Sequence, residues 1–459
     1  MKLSVKEKMA YGLGAVGKDM VYMLSASYVL YYFQDILGVS AVAMGVILLI
    51  ARIFDAFNDP IMGIVVAKTQ TRWGKFRPWL MIGTLTNAVI LFLMFSAPPS
   101  LDGGGLVAYA AITYILWGVT YTMMDIPYWS MIPAITSTPS DTENLSVIGR
   151  TCAGIGSALI IMLTMLLVTR LGGGNERIGF GRLALIVAVL FVISEIICAA
   201  SIHEREDSSM STASVGQMFR ALFDNDQALA VVLTIVLINS ALYITSNLVI
   251  YFFKYDMGGA DWTVSYTLFT SVGGACQILG MMLVYPLLRR KLTNTAIFRV
   301  AIGAASSGYV ILLLICLANL ASSLALILIP GVLIFAANGI LSVLTTVFLS
   351  NSVDYGELKS GQRNESVIFS MQTFVVKAAS GVSVFIAGVG LDLIGLVGNS
   401  EETGPVTQQS AQTIFGLRLL MTIMPMALLV IAIVFFSGKF RLTDQVVAEN
   451  SQKLAKSRK

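Results

Sequence analysis

Long apolar runs alternate with short polar stretches along the whole chain, and this pattern predicts helices that cross a membrane. Most runs hold roughly 18 to 25 residues, enough for an α-helix to span about 30 Å of hydrocarbon. We predict six such helices, a polar stretch, and six more. The first six are expected at about 9–36, 40–67, 77–97, 106–135, 146–171 and 180–202. The second six are expected at about 227–255, 262–289, 294–318, 322–353, 365–395 and 412–437.

Two sets of six helices predict an all-α polytopic membrane protein built from two bundles. The expected parts are an N-terminal six-helix bundle at 1–202, a cytoplasmic middle loop at 203–226, a C-terminal six-helix bundle at 227–437 and a basic cytoplasmic tail at 438–459. Paired bundles of this kind often hold a substrate near the middle of the membrane and transport it by rocking against each other. The arrangement of two six-helix bundles therefore favours a transporter.

Composition and charge narrow the class further. Of 459 residues, 56% are hydrophobic and 12% are charged, whereas about a quarter of a soluble domain is charged. The net charge of +4 comes mainly from loops and the tail, so it does not indicate nucleic-acid binding. Lys and Arg are concentrated in alternate loops, which predicts that both termini are cytoplasmic. Four widely spaced cysteines and one histidine give no sign of a cofactor or metal centre.

The second predicted helix carries acidic residues inside an apolar run. Charged groups within a membrane helix are costly and usually functional. Asp55 and Asp59 are four residues apart and share one helix face, with Asn58 beside them. Their oxygens suit a hard cation. The same carboxylate pair would also suit a proton, because like charges favour protonation of one partner. Alternatively, Arg52 simply neutralises Asp55.

The fourth predicted helix carries a polar stripe. Tyr121, Asp125 and Trp129 recur every four residues, and Thr122 lies on a neighbouring line. An aromatic ring beside a carboxylate is well suited to a sugar, since the ring packs on C–H groups and the acid accepts hydroxyl hydrogen bonds. The alternative makes Trp129 an anchor at the membrane surface and Tyr121 a packing residue.

Four further helices carry isolated charges. Lys18 and Asp19 are adjacent in the first helix and point about 100° apart, so we do not expect them to pair with each other. Each is expected to find a partner on another helix, or water. Arg150 is a candidate partner for Asp19 or for a bound hydroxyl. Lys377, with Gln372 and Thr373 nearby, is either a structural counter-charge or part of a coupling switch. To Glu195, in the sixth helix, we assign a purely structural role.

Several segments resemble the glycoside–pentoside–hexuronide:cation symporter family of the major facilitator superfamily. They are RIFDAFNDPIMG, TRWGKFRPW, YTMMDIPYWS, SVDYGELKSGQRNES and SMQTFVVKA. The resemblance extends over essentially the whole chain. It implies a twelve-helix major facilitator fold in a bacterial inner membrane, and symport of a sugar with Na+, Li+ or H+.

The resemblance also assigns roles to the residues already singled out. It implies a cation site at Asp55, Asp59 and Thr122, with Asn58 close by and affecting ion selectivity. It implies a sugar site that consists of Lys18, Asp19, Tyr121, Asp125, Trp129, Arg150, Gln372, Thr373 and Lys377. The chain departs from the family pattern at Ala26, Ser342 and Asn351, which leaves recognition of a second sugar ring open.

An α-galactoside such as melibiose is the leading expectation for the cargo. A proton-coupled carrier of pentosides or glucuronides, or a lysolipid carrier of related fold, is the first alternative. A polytopic membrane enzyme or sensor is a remote one, because the chain has neither a nucleotide-binding loop nor a nucleophile–base pair. Besides the sugar and the bilayer no partner is indicated, and the basic tail is expected to be solvated or drawn to anionic lipid.

Overall fold

The computed structural model describes residues 3–136, 139–202, 204, 220, 222–259, 261–360, 365–398 and 408–457. The chain forms two compact units, Met1–Thr212 with Val397–Thr407 and Ala213–Leu396 with Gln408–Lys459. Most of the expected middle loop, 203–226, lies outside the described residues. The bounds given above for the two bundles, the loop and the tail stay predictions.

The described part of the first unit consists of helices joined by loops. Its helices are α1 (Val5–Tyr31), α2 (Ala41–Lys68), α3 (Arg77–Met94), α4 (Gly103–Ser130), α5 (Ile132–Ile135), α6 (Pro139–Gly172) and α7 (Glu176–Ser201). Ser4 begins α1 with a reciprocal cap: its hydroxyl accepts from the Glu7 amide, and the Glu7 carboxylate accepts from the Ser4 amide. α1 packs along both α6 and α7, and α4 packs along α2 and α3.

The second unit is also helical. Its helices are α8 (Asp226–Tyr251), α9 (Trp262–Leu279), α10 (Tyr285–Arg289), α11 (Asn294–Leu317), α12 (Leu324–Ser360), α13 (Glu365–Leu393), α14 (Ala411–Lys439) and α15 (Asp444–Ser457). A π-helical stretch, Gly280–Val284, joins α9 to α10, so that these two helices form one long element. Buried apolar residues of α8, α11, α12 and α14 make the core, including Phe298, Phe348 and Phe436.

Twelve long helices are thus present in the described residues, as the apolar runs predict. Eleven of them are long and apolar enough to cross a membrane. The remaining one, α1, is long enough but carries Lys18 and Asp19 in its middle and further charges at its start. The all-α architecture is confirmed.

Several helix ends differ from the predicted positions. The fourth helix ends at Ser130 and gives way to the short α5. Pro133 lies in the first turn of α5, where its missing N–H is tolerated. The tenth helix continues to Ser360 and so includes residues that we placed in a loop. The tail, expected to be solvated, contains α15, whose Val446 and Val447 are half-buried.

Both units end their first helix in the same way. α1 runs into a π-helical turn, Tyr32–Ile36, and α8 runs into another, Phe252–Met257. A glycine with positive φ follows each turn, Gly38 at +72° and Gly258 at +63°. The local sequences YYFQDILG and YFFKYDMGG are similar as well. This is an internal repeat of the kind found in transporters with two related halves.

A buried ion pair stabilises the second unit at the π-helical turn that follows α8. Arg418 of α14 donates to both carboxylate oxygens of Asp256, at 2.8 and 2.7 Å. It also donates to the carbonyl of Cys316 at 2.7 Å. The Asp256 side chain is 2% exposed. The π-helical turn after α8, the end of α11 and the start of α14 are therefore held by one guanidinium group.

Candidate functional site

The candidate site of the first unit is centred on Lys18, which α1 carries into the interior of the unit. The residue is 2% exposed. Its ammonium group lies 2.7 Å from Asp125 Oδ1 and 3.2 Å from Asp19 Oδ2. It also donates to the Tyr121 hydroxyl at 3.2 Å. One buried cation is therefore shared by two carboxylates, so that the three charges sum to −1.

The stripe expected on α4 is present as a connected group. The Trp129 indole N–H donates to Asp125 Oδ1 at 3.1 Å, one turn away along the helix. The Lys18 ammonium lies 5.0 Å from the centroid of the Trp129 ring. The Arg150 guanidinium lies 4.4 Å from the same ring. Both distances are typical of cation–π contacts. The polar edge of the indole is thus held in place by Asp125.

Two expectations for this group need correction. We expected Lys18 and Asp19 to avoid each other because adjacent helix positions diverge, yet they form a 3.2 Å ion pair. The flexible lysine side chain can bend back across that angle. We also named Arg150 as a partner for Asp19. The described contact of Arg150 is with Trp129, whereas Asp19 accepts from the Ser157 hydroxyl at 3.5 Å.

The two acids of α2 face α4 in matching register. The Thr122 hydroxyl donates to Asp59 Oδ1 at 3.0 Å. One turn earlier, Gly118 faces Asp55: a Cβ atom at position 118 would lie 2.5 Å from Asp55 Oδ1. Because 55 and 59, like 118 and 122, are one turn apart, the helices run parallel here. Sequence reasoning missed Gly118, since the absence of a side chain matters only once its neighbour is known.

The surroundings of these acids are polar but not fully paired within the protein. The Asn58 amide nitrogen is buried and has no hydrogen-bond partner in the described part of the chain. Arg52 Nη1 lies 3.6 Å from Asp55 Oδ2, so the neutralising contact that we considered as an alternative is present. Arg52, Asp55 and Asp59 together carry a charge of −1, which one monovalent cation would balance.

An aromatic contact lies between the two groups. The Tyr22 ring is 5.4 Å from the Tyr121 ring, centroid to centroid. The Arg52 guanidinium lies 5.6 Å from the Tyr22 centroid. Tyr22 was not singled out from the sequence. Its position four residues after Lys18 on α1 is the signal that would have pointed to it.

The candidates on α13 belong to the second unit. Gln372 and Lys377 are half-buried. The side chain of Thr373 lies outside the description. Their assignment to a sugar site stays a prediction, as does the binding role of every residue named above. Within the described residues there is no group of three or more His, Cys, Asp or Glu side chains able to hold a metal ion.

Fold and buried charges together define a polytopic secondary transporter. The family model "MFS/sugar transport protein" matches residues 10–444, and the chain belongs to that family. This confirms the major facilitator fold expected from the sequence motifs. The family consists of membrane transporters, so the chain is a transporter and not an enzyme.

Individual relatives agree with this assignment. The chain is 31% identical to "Uncharacterized symporter YjmB" of Bacillus subtilis, covering 99% of this chain and 96% of that protein. It is 30% identical to "Isoprimeverose transporter" of Lactiplantibacillus pentosus, covering 98% and 92% of the two chains. A bacterial homologue of the lysosomal transporter Spinster has a similar fold, with a TM-score of 0.69 over 97% of both chains at 12% identity. The two relatives support a sugar symporter, and the solved structure supports the fold alone.

Proposed function

We propose that this protein couples inward movement of Na+, or of Li+ or H+, to uptake of a glycoside by alternating access. An α-galactoside such as melibiose is the first cargo to test, because the sequence motifs resemble those of the melibiose permease. The observation that carries the proposal is the buried group of Lys18, Asp19, Asp125 and Trp129. A hydrophobic substrate would form no hydrogen bonds with these polar groups.

The chemistry of that group fits a polyhydroxy ligand. The carboxylates of Asp19 and Asp125 accept hydrogen bonds from sugar hydroxyls, and the ammonium of Lys18 donates to a sugar oxygen. The Trp129 ring offers a flat apolar face to the C–H side of a pyranose. Arg150, more exposed, supplies a further donor at the edge. The sequence resemblance also assigns Gln372, Thr373 and Lys377 to sugar binding, and the proposal keeps that assignment.

The pair of acids on α2 suits a monovalent cation. Asp55, Asp59, Asn58 and Thr122 offer carboxylate, amide and hydroxyl oxygens, the ligands that hard cations prefer. The charge of −1 left after Arg52 is counted favours Na+ or Li+ over a divalent ion. Under the proposal, cation binding raises the affinity for sugar, and sugar raises the affinity for the cation by the same factor.

A second candidate keeps the fold and changes the cargo and the ion. Two carboxylates one turn apart on α2 are also able to share a proton. The relative named as an isoprimeverose transporter favours including that sugar in any test. The second candidate is therefore a proton-coupled carrier of pentosides or glucuronides.

The deciding experiment measures sugar binding to purified protein by calorimetry at fixed pH, with and without Na+. Melibiose, isoprimeverose, a xyloside and a glucuronide are compared. We expect Na+ to tighten binding of melibiose by about fivefold or more, within the usual range of coupling energies. Binding that responds to pH but not to Na+ or Li+ would select the proton-coupled candidate. Binding of none of the four sugars would refute the glycoside assignment.

Two threonines of α4 provide a matched pair of variants for the cation site. Thr122→Ala removes the hydroxyl that donates to Asp59 and is expected to weaken the response to Na+. Thr113→Ala, the control, removes a hydroxyl that donates to the Tyr109 carbonyl of the same helix. It is expected to leave the Na+ response intact. An equal effect of both substitutions would mean that α4 is merely perturbed, and the cation site would have to be sought elsewhere.

A further inference from the structure

Glu195 of α7 is a buried acid that the proposed symport does not use. Its side chain is fully buried. Both carboxyl oxygens are inaccessible and neither has a hydrogen-bond partner in the described part of the protein. From the sequence we assigned Glu195 only a structural role, but a structural carboxylate is expected to be paired. A structural role therefore does not explain why this buried carboxyl group has no hydrogen-bond partner in the described part of the protein.

Close packing of α1 on α7 brings this carboxyl near the candidate sugar site. A methyl group at Gly17 would collide with the Ser194 hydroxyl, and a Cβ at Gly14 would lie 3.1 Å from Cys198 Cβ. Glu195 lies between these two contact positions of α7. The charges that act on its carboxyl are those of Lys18 and Asp125.

The other ionisable groups around Glu195 are tyrosine hydroxyls, a thiol and two arginines. Tyr11 of α1, Tyr121 and Tyr128 of α4 and Cys198 of α7 all interact electrostatically with it. On α3, Arg77 acts on Cys198 and is not among the charges that act on Glu195. On α6, Arg150 lies against the Trp129 ring. Lys18 is thus the cation placed to stabilise a negative charge on Glu195.

Lys18 already balances two carboxylates in this state. Ionised Glu195 would place three negative charges around one ammonium group, and its own oxygens would have no hydrogen bond. A buried carboxylate without a partner is so unfavourable that the group takes up a proton instead. We propose that Glu195 holds a proton in this state and releases it when Lys18 loses one of its two carboxylate partners, which makes it a proton-exchange site beside the sugar site.

The link to the sugar rests on the proposed function, whereas the bound proton does not. Sugar hydroxyls that donate to Asp19 and Asp125 compete with Lys18 for the same oxygens. The ammonium charge is then available to Glu195. The Glu195 O–H bond breaks, its electron pair stays on the carboxylate, and the proton passes to solvent. One proton is released for each sugar bound, so sugar affinity rises with pH.

Infrared spectroscopy tests the bound proton without any sugar. Purified protein at neutral pH should show the C=O stretch of a buried protonated carboxyl, and Glu195→Gln should remove it. Glu176→Gln, the control on the same helix, removes an acid that accepts from Tyr31 at 2.6 Å and should leave the band. Asp125→Asn leaves Lys18 with one partner and should weaken the band. A spectrum unchanged by Glu195→Gln would overturn the proposal.

Proton release tests the link to sugar. Adding the sugar that binds in calorimetry to weakly buffered protein should release about one proton per sugar, and binding should tighten by up to about tenfold per pH unit. Glu195→Gln should bind sugar without that release. Sugar binding in which Glu195→Gln still releases the proton would refute the link. If no sugar of the panel binds while the infrared results hold, the glycoside assignment fails and the proton site stands.

Discussion

Replacing Lys18 with Met tests whether the shared ammonium group is what allows two acids to be buried in the first unit. The substitution keeps a long unbranched side chain and removes the charge. Asp19 and Asp125 then lose the cation that lies 3.2 and 2.7 Å from them. The charge of the group changes from −1 to −2. We expect a large loss of stability.

The size of that loss follows from the distances. At an effective dielectric constant of about 20, unit charges 2.7 and 3.2 Å apart attract by about 6 and 5 kcal/mol. Much of this attraction offsets the cost of taking Lys18 out of water. Removing one partner of a buried pair costs about 3–5 kcal/mol net. Because the two acids are 18% and 17% exposed, we expect the lower end, about 3 kcal/mol.

Denaturant titration in mixed micelles measures the free energy of unfolding, and calorimetry measures sugar binding. Lys68→Met, at an exposed position at the end of α2, is the control and should change neither. The double variant Lys18→Met with Asp125→Asn restores a charge of −1. It should recover most of the stability and none of the sugar binding. A single Lys18→Met variant as stable as the control would refute this account of the buried acids.

Two further predictions concern packing and the second unit. Gly156→Ala places a methyl group against the Val16 carbonyl and should destabilise the protein by about 1–3 kcal/mol. Gly154→Ala, where nothing lies within 4 Å, should stabilise the same helix by up to about 1 kcal/mol, and losses of equal size at both positions in denaturant titration would contradict this. Arg418→Met should cost about 3 kcal/mol because it leaves Asp256 buried and unpaired. Adding Asp256→Asn should recover part of that loss, and strictly additive losses in the same titration would show that the two side chains do not stabilise each other.

The membrane made most of the fold predictable from the sequence. Backbone polar groups in hydrocarbon must be hydrogen-bonded, and an α-helix pairs all of them within its own segment. A long apolar run therefore predicts a helix. This constraint ends where the chain leaves the hydrocarbon. The elements that we predicted wrongly lie there. The break before α5 and the extension of α12 to Ser360 are both at helix ends. The amphipathic α15 was missed because its composition is polar.

The candidate site was predictable only as far as one helix determines it. The spacing of Asp55 and Asp59, and of Asp125 and Trp129, follows from the helical period alone. Which helices meet is a tertiary property. The pairing of Lys18 with Asp125 and the approach of Gly118 to Asp55 therefore became visible only in the structure.

A single helix connects the two candidate sites, and this bears on how they would be linked. Tyr121 and Thr122 are adjacent on α4 and point about 100° apart. Tyr121 accepts from Lys18 of α1, and Thr122 donates to Asp59 of α2. A ligand that displaces α4 on one side must therefore change its contacts on the other. Coupling between cation and sugar needs no long pathway under this arrangement, because one rigid element is a wall of both sites.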